Sequence, residues 1–209
     1  MNLEFALIAL IILLFSAILH EVAHGWIADR LGDPTARLQG RLTLNPIPHI
    51  DPLMSILLPL MLMFSGSPVI FGAAKPVPVD PFNLRDGKKD LAIVSLSGPL
   101  TNVLIAIIAA LILRVLQTQV FSPLLFVFLN QVVTLNLLLA IFNLLPIPPL
   151  DGSKVVAQFL PDKEAAAYLS LSSVGFLIIF VLLLTPIGGF SLGQFIFSLV
   201  TFGQRLLGI

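Results

Sequence analysis

The chain has 209 residues, 57% of them hydrophobic and 11% charged, with a mean hydropathy of +1.05. That composition belongs to a multi-pass membrane protein and excludes an ordinary soluble globule. Formal net charge is zero, so there is no basic excess to hold nucleic acid; with no cysteine there is no disulfide framework and no thiolate nucleophile or metal ligand.

Leu3 to about Arg30 reads as a first helix, long enough to span a bilayer at ~1.5 Å per residue. It lacks a basic leader and a small-residue cleavage site, so it reads as a retained helix rather than a signal peptide. Within it, residues 20–24 spell His-Glu-Val-Ala-His. Four apart on a helix, His20 and His24 share one face, as two imidazoles must to grip one metal ion. Glu21 projects beside them as a base for a metal-bound water. Zinc lowers the pKa of such a water from 15.7 to roughly 7, within reach of a carboxylate at neutral pH. Phe5 to Leu19 carries no charge, and ionisable groups at membrane depth cost a few kcal/mol each, which favours function over a chance match.

Gly32 and Asp33-Pro34 stop this helix. Residues 35–51 are polar and proline-punctuated, with a short strand candidate at Leu42-Thr43-Leu44. Pro52 to Phe64 is apolar but shorter than the ~17 residues a crossing helix needs, which predicts a re-entrant segment. Val69 to Asp80 reads as extended chain, a short membrane-associated β-hairpin turning near Gly72-Ala73. Arg85 to Asp90 is a charged surface stretch. Leu91–Leu116 and Leu124–Leu145 are further spans, the latter broken by Pro146-Ile147-Pro148-Pro149. Ala165–Leu184 and Phe190–Leu207 are two more, separated by Thr185 to Gly189. The expected fold is therefore all-α and multi-pass, with about five transmembrane helices, the re-entrant segment and the hairpin. No polar stretch is long enough for a soluble module, so residues 1–209 read as one membrane-embedded domain.

A catalytic zinc takes three protein ligands and keeps one position open. Without cysteine, the third is His49 or a carboxylate. Asp151 stands out because it follows a broken span, and unwound backbone at membrane depth is tolerated only against protein or a wet cavity. For His20 and Asp151 to share a metal, the first and third spans must run parallel, so residues 31–90 begin and end on one side and 52–64 must return. Under that scheme Arg30, Arg37, Arg41, Lys75, Arg85, Lys88, Lys89, Lys154, Lys163 and Arg205 fall on the metal side, and Arg114 alone on the other. The positive-inside rule then makes the metal side cytoplasmic in a cell membrane. Asn136 and Asn143 lie on one face of the third span; interhelical hydrogen bonding is the expected role of Asn102 and Asn136. Gly98 is expected to permit close helix packing, and His49 to be a loop histidine rather than a fourth ligand.

The proline segment adds a further expectation. Pro76 and Pro78 leave gaps on one edge of an extended chain, while Val77 and Val79 keep donors on the other. A protease needs its substrate extended, so this segment is expected either to accept an unwound substrate as an added strand or to be a plain hairpin with proline-blunted edges.

Three motifs, HEVAH at 20–24, SGPLTN at 97–102 and NLLPIPPLDG at 143–152, resemble those of the site-2 protease family of intramembrane metalloproteases. The resemblance covers roughly residues 1–160, a catalytic core to which 165–207 would add two helices. It implies one zinc per chain on His20, His24 and Asp151, with Glu21 as the catalytic glutamate. It further implies that Asn143 orients or stabilises the reacting carbonyl. Gly72 and Lys75-Pro76-Val77-Pro78-Val79 resemble the membrane-associated extended segment of compact prokaryotic members. The chain departs from many relatives in lacking a PDZ-like or nucleotide-sensing domain.

The expected function is that of a zinc endopeptidase cutting peptide bonds within or beside transmembrane segments of other proteins in the lipid bilayer. A metal-ion transporter is the rival from another class; Glu21 between two ligands at a single clustered site speaks against it. A catalytically silent relative that binds membrane proteins is another, opposed by the intact His20, Glu21, His24 and Asp151.

Overall fold

A computed structural model describes residues 3–57, 60–61, 64, 74–116, 122–186 and 188–209. Helix α1 (Leu3–Leu31) carries two opposed stripes. Leu7, Ile11, Phe15 and Leu19, spaced by four, are exposed as lipid-facing side chains, while Ser16, His20 and His24, also spaced by four, are buried. The helix ends where the sequence predicts: Gly32 takes φ +116°, and the Asp33 N–H closes back on the Ala28 carbonyl at 2.9 Å. A short helix α2 (Thr35–Leu38) follows.

Leu42-Thr43-Leu44 forms no strand; the Thr43 carbonyl instead accepts from buried His49 Nε2 at 2.9 Å. Of the expected re-entrant stretch 52–64, Pro52–Leu57 winds as a wide π-helical turn, and four later residues lie outside the described chain. The turn expected at Gly72-Ala73 also lies outside it. The described limb, 74–80, is extended, and none of its residues is in a strand. Its N–H groups go elsewhere, from Lys75 to the His49 carbonyl at 2.8 Å and from Asp80 to Asp33 Oδ2 at 2.7 Å. Side chains and loop carbonyls, rather than a neighbouring strand, hold this strap in place.

Helix α3 (Gly87–Leu116) is the central element. It packs on α1 along Val94, Gly98 and Asn102, and on α4 (Pro123–Asn143) along Ala106, Ala109, Ala110 and Leu113. The proline run then turns the chain into α5 (Asp151–Ala157), followed by α6 (Asp162–Ser170), α7 (Ser172–Leu184) and α8 (Leu192–Leu207). Leu145, Leu150, Ile179, Leu192, Ile196 and Val200 join the α3–α4 side chains in one apolar cluster. The C-terminal helices therefore share the main core.

The protein is an all-helical, multi-pass membrane protein among its described residues. Three helices, α1, α3 and α4, are long and apolar enough to cross. The expected fourth span is two helices, α6 and α7, meeting at 60°. The expected fifth, α8, has 16 residues, ~24 Å of helix against a hydrocarbon core of ~30 Å. Its direction departs from expectation too. Gln204 donates to Thr134 midway along α4 at 2.8 Å, and Gly208 lies against the Arg114 guanidinium. Arg114 is ~18 Å further along α3 than Asn102. Arg205 thus joins Arg114 at the end remote from His20, rather than the metal side.

Candidate metal centre

Three ligand atoms converge in the buried space between α1, α3 and the start of α5. His20 Nε2 and His24 Nε2 are 3.0 Å apart, and each is 3.1 Å from Asp151 Oδ2. All three residues are more than nine-tenths buried. A tetrahedral zinc with ligands at about 2.0–2.2 Å has ligand–ligand edges of about 3.3–3.6 Å, so a widening of a few tenths of an ångström would seat one. Among the described residues this is the one cluster of His, Cys, Asp or Glu with ligand-like spacing.

The outer nitrogens fix the chemistry of the inner ones. His20 Nδ1 faces Asn102 Oδ1 at 2.6 Å, and His24 Nδ1 faces the Val94 carbonyl at 2.7 Å. Both partners are acceptors, so each Nδ1 carries the proton and each Nε2 presents its lone pair to the centre. Asn102 is itself held: its Nδ2 donates to Asn136 Oδ1 at 2.9 Å, and Asn136 donates to Ser16 Oγ at 2.9 Å. Two neutral imidazoles and one carboxylate, oriented in this way, fit a divalent cation.

Gly98 brings α3 against the ligands. A Cβ there would stand 2.5 Å from His24 Nε2 and 2.6 Å from His20 Nε2. The glycine thus serves the metal ligands as well as helix packing. Asp151 begins α5, where Lys154 pairs with its second oxygen at 3.1 Å. Burial disfavours the charged form of the Asp151 carboxyl, and the Lys154 ammonium beside it favours that form. Gly152 is required beside it, since any Cβ would collide with the Leu144 carbonyl.

Glu21 lies next to the ligands along α1, and its Oε2 accepts the Val77 N–H at 2.7 Å. Val77 is buried, packed close to Gly25. The amide expected to pair with substrate is therefore engaged by the glutamate. Pro76 is exposed, Pro78 half-buried, and Val79 packs near Ala28, Leu84 and Val94; Gly72 lies outside the described residues. Asn143 donates to the Leu139 carbonyl at 2.9 Å within its own helix, and no contact with the triad accompanies it. His49 sits in the 41–51 loop, outside the cluster.

Sequence reasoning undervalued Asn102, whose expected interhelical bond goes to His20, a member of the cluster. It missed the Val94 carbonyl entirely and gave the Val77 amide to substrate rather than to Glu21. Asn102 had a signal, a fully amidic side chain in an apolar span four residues after Gly98. A backbone group carries none.

The family model described as Peptidase family M50 matches residues 114–185, the stretch that includes the Asp151 loop. "Putative zinc metalloprotease YwhC" of Bacillus subtilis is 37% identical over 188 residues, 87% of this chain and 82% of that protein. "Putative zinc metalloprotease Rip2" of Mycolicibacterium smegmatis is 33% identical over 190 residues, 90% of this chain and 69% of its own length. The Rip2 of Mycobacterium tuberculosis (strain H37Rv) is 31% identical over 173 residues, 83% of this chain and 65% of its own length. No solved structure matches the chain. The chain belongs to peptidase family M50, the site-2 protease family of intramembrane zinc metalloproteases.

Proposed function

We propose that this chain hydrolyses peptide bonds within or next to transmembrane segments of other membrane proteins, using one zinc ion held by His20, His24 and Asp151. The observation that carries this is the convergence of two Nε2 atoms and one carboxylate oxygen, with both Nδ1 protons tied to acceptors. Bound there, zinc supplies Lewis acidity and a water acidified to near neutrality. Glu21 takes that water's proton and delivers it to the leaving amine. Asn143 is the donor for the reacting carbonyl, since its bond to Leu139 uses one of two amide hydrogens. Residues 75–79, with Gly72, receive the substrate as extended chain, and the Val77 amide is then shared between Glu21 and the entering strand.

The whole chain acts as one catalytic domain, a reading supported by Ile179 of α7 and Leu192, Ile196 and Val200 of α8, which join its core. Nine basic residues fall toward the metal end and two, Arg114 and Arg205, toward the other, a bias that supports an active site on the cytoplasmic side of the cell membrane. The bent α6–α7 pair dips in and returns, and α8 enters beside α4 toward the remote end.

Glu21→Gln tests the chemistry. Both histidines keep their places, so zinc should stay bound, while cleavage of a model transmembrane substrate should fall about 10²- to 10⁴-fold. More than a tenth of the wild-type rate would remove Glu21 from the mechanism.

A further inference from the structure

Arg41 is a buried cation whose placement nothing in the loop around it requires. It is 7% exposed, and among the described residues no carboxylate pairs with it. Among the described residues its Nε has no hydrogen-bond partner. A guanidinium withdrawn from water in this way is costly unless its donors are used. One nitrogen is used twice: Nη2 donates to the carbonyl of Lys75 at 2.8 Å and to that of Pro76 at 3.2 Å. The next amide in the chain, Val77, is the one that donates to Glu21 Oε2 at 2.7 Å.

We propose that Arg41 is a positioning residue for Glu21, acting through the backbone of Lys75 to Val77. By fixing two consecutive carbonyls it sets the peptide plane that carries the Val77 N–H. That N–H restrains one carboxylate oxygen and leaves Oε1 directed to the attacking water. Pro76 suits the task, because its ring fixes φ and its missing N–H offers no competing donor. Val77 anchors the other side by packing against Gly25, where a Cβ would meet Val77 Cγ1 at 2.8 Å. Arg41 touches none of the three metal ligands, so its effect falls on turnover and not on the metal. The inference rests on the reading of Glu21 as the proton acceptor.

The test is a double-mutant cycle in the full-length protein, purified and assayed on a model transmembrane peptide. Arg41→Met removes the donor, Val77→Pro removes the amide hydrogen, and the pair is combined. Each single variant should lower kcat about ten- to a hundredfold, the size of one hydrogen bond to a charged group, with zinc content as in the wild type; KM should hold in Arg41→Met, whereas Val77→Pro, which also takes a donor from the entering strand, should raise it. The double variant should be no worse than the poorer single, because both act through one bond. Arg41→Met cleaving at the wild-type rate, or a double variant whose loss is the product of the two, would overturn the proposal. So would loss of zinc in Arg41→Met, which would make the residue a support of the metal site. Glu21→Gln in the same assay separates the two readings. If it still cleaves, the base assignment falls; if it is inactive while Arg41→Met is unaffected, only the role of Arg41 falls.

Discussion

Asn102 is wholly buried, yet its polar atoms are spoken for: Oδ1 takes the His20 Nδ1 proton and Nδ2 reaches Asn136. An acceptor on Nδ1 fixes the tautomer and raises the basicity of the nitrogen that binds metal. Asn102→Ala should therefore weaken zinc binding about 10- to 100-fold, the usual effect of losing such a partner. Competition against a chromophoric chelator measures it. Zinc affinity within a factor of about two of the wild type would show that the Val94 and Asp151 contacts suffice to orient the pair.

The exit of α1 and the strap that follows behave as one unit, with Asp33 as its joint. That side chain is fully buried. It accepts from the Thr35 amide at 3.1 Å, the Asp80 amide at 2.7 Å and Asn83 Nδ2 at 3.1 Å, and from the Thr35 hydroxyl. Burial raises its pKa, but the Thr35, Asp80 and Asn83 donors prevail and the net shift is downward. The folded pKa thus lies below the unfolded one. The joint contributes its stability in full above the ordinary carboxylate range of about 4, and loses it as pH falls through the folded value. Amide exchange over residues 74–84 should be flat from pH 8 to about 5, after correction for intrinsic rates, and should accelerate on further acidification. Asp33→Asn should exchange faster already at neutral pH and show little further dependence on acid. A wild type whose strap loosens between pH 8 and 6 would place the controlling group elsewhere.

Charge and packing together decide how the molecule sits in the membrane. Arg30 stacks over Trp26 with its guanidinium 4.5 Å from the ring centroid, an aromatic–basic anchor suited to the lipid headgroups at the metal end of α1. Lys88 pairs with Asp162 at 2.6 Å and donates to the Leu160 carbonyl at 2.8 Å, which ties the start of α6 to the same end. Gly208, at the opposite end, rests on Arg114. Single cysteines at Asp86 and Ile209 should therefore respond differently to an impermeant thiol reagent applied to intact cells. Ile209→Cys should label and Asp86→Cys should not. Strong labelling at Asp86 would reverse the proposed orientation, and protection of Ile209 would return α8 to the direction read from hydropathy.

What the sequence by itself determined is local. The 3.6-residue repeat places His20 and His24 on one face whatever else the chain does, Gly32 with Asp33-Pro34 ends α1, and the proline run before Asp151 forbids further helix. The pairing of Asp151 with His20 was also legible, because span parity leaves few ways to bring two membrane-end motifs together. Hydropathy failed where it had to. It counts apolar residues but does not register a 60° bend at Leu171, nor that α8 runs beside α4 toward Arg114, since both arrangements bury the same side chains. Tertiary structure alone decided which acceptors meet the two Nδ1 protons, that Gly98 admits the ligands to α3, and that the Val77 amide meets Glu21. Asn102 apart, those choices depend on backbone groups, the Val94 carbonyl and the Val77 amide, and on close approach between elements 56 to 82 residues apart, for which side-chain identity carries almost no signal.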